Sequence, residues 1–474
     1  MREKANHSRK FLNIALAVSL VAACLLFVAP SAYSIPSMYP KLDDNEVRLG
    51  VQGNSYLTPA SESISDAGTG NLALIVGARG VGQKENFHVT AEAETLYGLR
   101  HANYHYLDIG EAFAGFENKN EPRHVSIYLG RKRYEWNTLD SYWSLGLYQP
   151  RFRWDYLNER ENGLSGLFLG AQSEVFQATA YYSPIFIPEQ GAPFDISGGT
   201  CRSSSPWFSC PGSSILLFNQ PTNVNFNLDV PPTKSLVMHG GGGGTLRVGR
   251  ETGPFGRLSY THKPMNQFLF AYEGRLDLAT NEVPAVIQPR VLYHDLYGVD
   301  LGLNAGKHSL VASAMNERPV RDVTPAAWNT QETSDAVLYG LTAKTQPFQT
   351  FKFTRLEAGF LHRNGGIADD RGPFVTPGVN TFEPRFAFKN AFSFAIFTPI
   401  NDDWARRILF DTKFIVDTEN DGNILVSDLF YSPAAKLVLN VGVDVLGSNS
   451  TSPVDFISRY QRNDRVRGGA GYVF

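Results

Sequence analysis

A charged and aromatic segment, residues 131–163, contains the residue types best suited to handling a polar solute. It reads RKRYEWNTLDSYWSLGLYQPRFRWDYLNERENG and carries aromatic rings at Trp136, Trp143, Tyr148 and Trp154. Opposed charges set across a narrow passage would orient a solute, and aromatic faces would let sugar-like rings slide. The alternative is a surface loop whose rings form a local core. The candidate solute-facing residues are Arg131, Arg133, Arg151, Arg153, Asp155 and Glu159.

Other residues that could take part in catalysis or metal binding do not form a recognised active-site motif. Four histidines accompany no nucleophile motif, which argues against an enzyme: His101, His105, His294 and His308. Residues 417–428, DTENDGNILVSD, are spaced like a calcium loop, but an Asp-Gly hairpin turn explains them more simply. Glycines 240–244 lack the Lys-Ser/Thr of a phosphate loop. We therefore expect no catalytic residue, metal or cofactor.

The first 34 residues have the three parts of a secretory signal peptide: a basic start, an apolar stretch and a small-residue cleavage site that ends at Ser34. An uncleaved membrane anchor and a lipoprotein site at Cys24 are the alternatives. Cleavage would leave 39 basic against 45 acidic residues, which argues against nucleic-acid binding. In an oxidising compartment Cys201 and Cys210, nine residues apart, are expected to form a disulfide.

Alternating apolar and polar residues dominate the rest of the chain. Phe87, Val89 and Ala91, for example, share one face of a segment whose other face is polar. Charged residues make up 19% of the sequence, below the ~25% that is usual in soluble domains. Many of these segments have the length of a tilted membrane-spanning strand, about 9–11 residues. Strands are predicted at 46–57, 70–82, 86–98, 106–117, 122–133, 164–171, 174–183, 241–250, 256–263, 291–304, 307–316, 335–346, 350–362, 384–398, 405–417, 423–431, 436–446 and 464–474.

Short turns alternate with long polar connections between these strands, so one rim carries turns and the other carries loops. In hydrocarbon every backbone N–H and C=O must be paired, so a spanning sheet must close on itself. We therefore predict an all-β fold: one antiparallel up-and-down transmembrane barrel over 46–474, of about 18 strands (16 to 18), preceded by a short periplasmic segment, 35–45. Its expected lumen-lining residues are Glu92, Glu94, Asp411, Lys413, Arg465 and Arg467.

The last ten residues, RVRGGAGYVF, have one apolar and one cationic face. Their pattern of Arg467, Gly469, Tyr472 and Phe474 resembles the C-terminal assembly signal of Gram-negative outer-membrane β-barrels of the porin type. The resemblance implies insertion by the barrel-assembly machinery into a membrane of lipid and lipopolysaccharide, with both termini periplasmic. In porins the connection after the fifth strand folds inward and narrows the barrel. Here that connection is 131–163.

Eighteen strands enclose more room than their own side chains fill. We therefore expect an integral outer-membrane channel for passive diffusion of small hydrophilic solutes, narrowed by 131–163. The alternative is a non-transporting scaffold, or a polymer-export partner of a cell-envelope complex, because the 57-residue connection 184–240 could cap the lumen or bind a partner. A homotrimer is possible, and nothing local in the sequence decides it.

Overall fold

A computed structural model describes most of the chain after residue 41. The described residues are 42–58, 70–99, 104–118, 124–208, 210, 214–217, 219–274, 276–320, 329–346, 354–371, 385–400, 408–434, 436–450 and 455–474. The predicted signal peptide and nearly all of segment 35–45 lie outside them. Within these ranges, no helix has the length and apolar character needed to cross a membrane.

Eighteen antiparallel strands form one closed sheet. They are β1 Glu46–Tyr56, β2 Gly70–Lys84, β3 Phe87–Gly98, β4 His105–Asn118, β5 His124–Lys132, β6 Leu164–Gln172, β7 Phe176–Ser183, β8 Gly241–Gly249, β9 Gly253–Pro264, β10 Tyr293–Ala305, β11 His308–Pro319, β12 Ala336–Thr345, β13 Arg355–Gly365, β14 Asn390–Ile400, β15 Ile408–Asp417, β16 Gly422–Ala434, β17 Leu437–Ser448 and β18 Arg465–Val473. Consecutive strands pair, and β1 also pairs with β18, where Arg48 lies opposite Val473. The predicted closed 18-stranded barrel is confirmed.

Side chains of β1 show how alternation sorts the two faces of the wall. Val47, Leu49 and Val51 point outward and are 42%, 46% and 40% exposed, whereas the alternating Arg48 and Gln52 point inward and are buried. A one-residue shift would put arginine on the outer face, at a cost of about 2–4 kcal/mol near the middle of a bilayer. The alternation therefore fixes the register of the barrel as well as its outer apolar surface.

Shorter elements occupy the long connections. The helices are α1 Thr138–Trp143, α2 Thr233–Val237 and α3 Phe456–Tyr460. Six strands form a second sheet in the order Ser214–Leu217, Gln220–Leu228, Glu282–Arg290, Leu269–Gly274, Asn329–Thr333 and Ala368–Arg371. The remaining short strands are Arg151–Arg153, Arg160–Glu161, Gln190–Gly191, Asp195–Ser197 and Thr200–Arg202. We predicted these regions as loops, because their Pro, Ser and Gly content hides short alternating runs.

Every predicted strand overlaps one barrel strand. The largest difference is at β14, which begins at Asn390 and not at 384. Phe386 and Phe388 precede it and are buried in the main hydrophobic cluster. The calcium-like segment forms a tight turn between β15 and β16, where Asp417 accepts the backbone N–H groups of Glu419 and Asn420. That arrangement is a turn stabilised by its own aspartate.

Candidate functional site: a fixed loop across the lumen

Residues 133–163, here called the constriction loop, connect β5 to β6 and cross the inside of the barrel. Asn137 caps α1, because its side chain accepts the backbone N–H of Leu139 at 2.9 Å and of Asp140 at 3.3 Å. The same side chain donates to Asp300 on β10 at 2.7 Å. Thr138 donates to Asp300 through its backbone N–H at 2.9 Å and its hydroxyl at 3.0 Å. One fully buried carboxylate of the wall thus fixes the start of α1.

Two tyrosines hold the loop at further points of the wall. The hydroxyl of Tyr142 lies 2.9 Å from that of Ser393 on β14, and the hydroxyl of Tyr148 lies 2.8 Å from that of Ser259 on β9. Between them, the Asp140 carboxylate accepts two backbone N–H groups, from Leu147 at 2.9 Å and Tyr148 at 3.1 Å. Burial raises the pKa of Asp140. The loop is therefore attached to several strands.

All four arginines of the constriction loop are in ion pairs. Arg133 makes two contacts with Glu92 of β3, at 2.8 and 3.2 Å. Arg160 lies 2.7 Å from Glu94, also on β3. The other two pairs are Arg151 with Glu161 at 3.8 Å and Arg153 with Glu159 at 3.0 Å.

Arg153 also lies 3.3 Å from Glu189, in the connection that follows β7. Burial alone would lower the pKa of Arg153, but the two carboxylates of Glu189 and Glu159 hold it above its usual value. Arg153 therefore stays charged and ties the constriction loop to the next long connection.

Arg465 and Arg467 of β18 form a second network behind the loop. Arg465 lies 2.7 Å from Asp155 and 2.5 Å from Asp444. Arg467 lies 2.7 Å from Asp444 and 2.9 Å from Asp428. Both arginines are fully buried. The pairs satisfy charges that would otherwise be costly to bury, and they attach the later part of the loop to the closing strand.

The disulfide-closed segment 201–210 supports the loop from the mouth of the barrel. Cys201 and Cys210 are bonded, with 5.6 Å between their Cα atoms. Trp207 between them is buried, and its ring lies 5.2 Å from the guanidinium of Arg465 and 6.3 Å from the ring of Tyr156. The connection 184–240 thus reaches into the lumen on the β18 side.

A cavity of about 700 Å³ is lined by the constriction loop, by residues of β1–β4 and by the lumen face of β12–β16, here called the opposite wall. Charged side chains of both signs line it in equal number, nine basic and nine acidic. The basic residues are Arg48, Arg133, Arg151, Arg153, Arg160, Lys344, Arg355, Arg385 and Lys413. The acidic residues are Glu92, Glu94, Asp108, Glu135, Glu159, Glu161, Glu357, Asp411 and Asp428.

The structure divides the sequence-predicted constriction residues. Four of them line the cavity: Arg133, Arg151, Arg153 and Glu159. Two lie outside its lining. Arg131 belongs to β5 and donates to the Gly163 carbonyl at 3.1 Å, and Asp155 pairs with Arg465.

The predicted lumen-lining residues divide in the same way. Glu92, Glu94, Asp411 and Lys413 line the cavity. Arg465 and Arg467 are buried in the network behind the loop and do not line it. The residue type and the inward direction of a side chain were not enough to distinguish a charged residue that lines the cavity from one that is buried in an ion-pair network.

The aromatic residues of the segment are similarly divided. Trp143 lines the cavity, while Trp136 and Tyr148 stack on each other at 5.7 Å inside the loop core. Trp154 packs 5.3 Å from the ring of Tyr106. Sequence reasoning missed several lining residues of the opposite wall and the connection before β14. They are Lys344, Arg355, Glu357, Phe386, Phe388 and Phe397. The alternation of Arg355 and Glu357 with apolar neighbours was a usable signal.

The opposite wall carries charges in ion pairs and, among the described residues, two that form none. Arg355 lies 2.7 Å from Glu357, and Lys344 lies 3.8 Å from the same carboxylate. Asp411 and Lys413 form no ion pair within the described part of the chain. The Lys413 ammonium instead lies 5.3 Å from the centre of the Tyr142 ring. The cavity is therefore bordered by a loop whose arginines are all paired and by a wall on which Asp411 and Lys413 form no ion pair within the described ranges.

Two aromatic residues at the C-terminal end of the chain face outward. Tyr472 and Phe474 are exposed, and their ring centres lie 4.8 Å apart. Arg467 and Gly469, the other two residues of the pattern, face Gly442 and Asn440 of β17 in the sheet.

No family model and no curated protein matches this sequence. Solved structures do. OmpF of Salmonella typhi, in complex with daunomycin, is 12% identical over 91% of this chain and 97% of its own, with a TM-score of 0.37. OmpT, an outer membrane protein of Vibrio cholerae, is 10% identical over 92% of this chain and 99% of its own, with a TM-score of 0.34. OpdQ of Pseudomonas aeruginosa is 11% identical over 90% of this chain and 96% of its own, with a TM-score of 0.43. Because identities and TM-scores are low, function is inferred below from this barrel's own geometry.

Proposed function

We propose that the protein is a porin-like channel of the outer membrane, through which small hydrophilic solutes diffuse passively, and that it has no catalytic activity. The observation that carries the proposal is the cavity of about 700 Å³ inside a closed barrel, lined by charges of both signs. A volume of this order holds a small organic molecule. The outward apolar side chains, such as Leu49 and Leu301, suit a lipid environment on the other face of the same wall.

The constriction loop sets the width of the path. Its contacts with Asp300, Ser393 and Ser259 fix it across the lumen, so solutes pass between it and the opposite wall. Four of the arginines and acids predicted from the sequence supply its charged surface: Arg133, Arg151, Arg153 and Glu159. Because their partners hold them in place, the loop acts as a rigid filter.

Single-channel recording in planar bilayers tests the proposal. Purified, refolded protein is expected to insert and give discrete steps of conductance that persist over a range of voltages. Folding is checked independently by the shift in electrophoretic mobility on heating that intact barrels show. A barrel that is folded by this criterion and conducts no current would contradict the proposal.

The same proposal includes the expected membrane context. Both chain ends would be periplasmic, and Phe474 with Tyr472 would present the assembly machinery with an exposed aromatic pair next to β18. The outer face would contact lipid and lipopolysaccharide, and homotrimers would form through part of it. Replacing Phe474 by Gln should slow membrane insertion in vivo while leaving the conductance of refolded protein unchanged. Normal insertion of that variant would argue against the assembly signal.

A scaffold or polymer-export role is the second candidate, and one observation favours it. The long connections build a six-stranded sheet of their own, with a small core of Val224, Val283 and Ala285. A folded structure of this kind offers a surface to a partner in an envelope complex. Co-purification of a stoichiometric partner together with an absence of solute flux would favour this candidate over the channel.

A further inference from the structure

Asp411 and Lys413 are charged side chains on the lumen face of β15, whose third inward charge, Asp417, caps the following turn. They are two residues apart on one strand, so they point the same way, and both line the cavity. Neither forms an ion pair in the described ranges, although every arginine of the constriction loop does. A fixed ion pair has little charge left for a passing solute, whereas a single ammonium or carboxylate attracts its counterpart directly.

The surroundings of the two residues keep both sites open to a solute. Lys413 pairs across the sheet with Ala395 on β14 and Val426 on β16, and Asp411 pairs with Phe397 and Asp428. The loop's Glu159 and Arg151 lie within electrostatic range of Lys413, as does Glu357. Asp411 lies within range of Arg355 and also of the acidic Asp428 and Glu357. The Lys413 ammonium lies 5.3 Å from the centre of the Tyr142 ring, so the loop and the wall can contact one solute at this point.

The equal number of basic and acidic residues in the lining excludes a strong preference for either sign of charge over the whole cavity. A dianion that approaches Lys413 is repelled at Asp411, and a dication meets the reverse. A solute with one charge of each sign is attracted at both positions. Side chains two residues apart on a strand are about 6.6–7 Å apart at the backbone. That spacing fits an ammonium and a carboxylate separated by a short chain.

We propose that Asp411 and Lys413 form a selectivity site for small zwitterions of this kind, such as ω-amino acids and short peptides. The carboxylate of the solute faces Lys413 and its ammonium faces Asp411, while its methylene groups lie against Tyr142 and Phe397. The inference rests on the proposed channel function and narrows it to a substrate class. The site attracts the solute weakly enough for release, as conduction requires.

Four probes with the same four-carbon chain separate charge from size. They are 4-aminobutanoate, butanedioate, 1,4-diaminobutane and the uncharged 1,4-butanediol. Purified protein is reconstituted into liposomes, and the initial rate of uptake of each probe is measured at low concentration. For the unmodified protein we expect 4-aminobutanoate to enter about fivefold faster than butanediol, which corresponds to about 1 kcal/mol of attraction. The two probes with like charges are expected to show no such advantage.

Variants assign the effect to the two residues. Asp411→Asn and Lys413→Gln are each expected to reduce the advantage of 4-aminobutanoate to less than about twofold. The double exchange Asp411→Lys with Lys413→Asp should retain it, because a zwitterion can enter in the opposite orientation. Lys436→Gln, in the exposed turn between β16 and β17, is the matched control and should behave like the unmodified protein.

The possible outcomes separate this inference from the channel itself. If all four probes enter and the zwitterion has no advantage, the selectivity site is wrong and the channel stands. If the advantage exists and survives both single substitutions, the site is also wrong. If no probe enters a liposome containing folded barrel, the proposed function and this inference fail together.

Discussion

The constriction loop and the opposite wall both present basic and acidic side chains to the same cavity, yet the two surfaces use them differently. On the loop, Arg153 is held between Glu159 and Glu189, and Arg133 is held by Glu92. On the wall, Lys413 and Asp411 form no ion pair among the described residues. The loop's arginines build a rigid structure, whereas on the wall Asp411 and Lys413 lie beside paired neighbours such as Arg355 and Glu357 and are themselves available to a solute.

This difference has a physical basis. The constriction loop packs apolar side chains such as Trp136 and Leu139 into the main hydrophobic cluster, and ion pairs and buried hydrogen bonds fix it further because no barrel ladder holds its backbone. A barrel strand is already fixed by its backbone ladder on both sides. Some inward side chains of the strands, such as Asp300, hold the loop, whereas Asp411 and Lys413 form no ion pair in the described ranges and line the cavity.

Detaching the loop should have the largest effect. Asp300→Ala removes the acceptor for Asn137 and for both donors of Thr138, at a cost of about 1–3 kcal/mol or more for the unpaired buried groups. The start of α1 should then leave the wall, and single-channel conductance should roughly double as the path widens. Asp295→Ala on the same strand, where the carboxylate bonds the exposed His262, is the control. Unchanged conductance in Asp300→Ala would show that the loop does not set the width.

The second-largest effect is expected from removing one positive charge, and it should differ between the opposite wall and the constriction loop. Lys413→Gln should shift the reversal potential in a salt gradient toward cation preference, with the permeability ratio changing about two- to fivefold. Arg133→Gln should shift it less, because Arg79 lies 2.6 Å from Glu92 and keeps that carboxylate paired. Equal shifts for the two variants would mean that pairing does not shield the loop's charges.

As the pH is lowered, Glu161 of the constriction loop should take up a proton before most exposed carboxylates do. Burial raises the pKa of Glu161, so this group takes up a proton at a higher pH than an ordinary glutamate. As pH falls from 7, the charge facing Arg151 is lost early and anion preference should rise. Glu161→Gln should reduce that early part of the titration of the reversal potential. Glu419→Gln, in the exposed turn after β15, should leave it intact.

The smallest effect is expected from a single hydroxyl. Tyr142→Phe removes the hydrogen bond to Ser393 and keeps the ring near Lys413, at a cost of about 0.5–1.5 kcal/mol. Mean conductance should stay within the error of the unmodified channel, while the noise of the open state should increase. A large drop in conductance would mean that the hydroxyl itself contacts the permeating ions.

The barrel could be predicted from the sequence because the relevant signal is local. Val299 and Leu301 alternate with Gly298 and Asp300 within one strand, and the membrane makes that alternation a requirement. The inward direction of Asp300 follows from the same rule. The hydrogen bonds of Asp300 could not be predicted in this way, because its partner Asn137 is 163 residues away in the sequence.

The division of charges into paired and available ones was beyond sequence reasoning for the same reason. Asp155 lies 310 residues from Arg465, and nothing near either residue announces the pair. The second sheet was missed because Gln220–Leu228 pairs in parallel with Glu282–Arg290, a strand from another connection. Short strands that pair only with distant segments leave no regular turn between them.

The accessibility of Lys413 in the conducting channel tests the central claim most directly. In a Lys413→Cys variant, a thiol-specific reagent that carries a bulky cation is added during a single-channel recording; the unmodified protein, whose Cys201 and Cys210 are bonded to each other, is the control. If the path runs between the loop and the opposite wall, the current should fall in one irreversible step per channel, and the control should not respond. A variant that conducts and keeps its full current under the reagent would contradict the account.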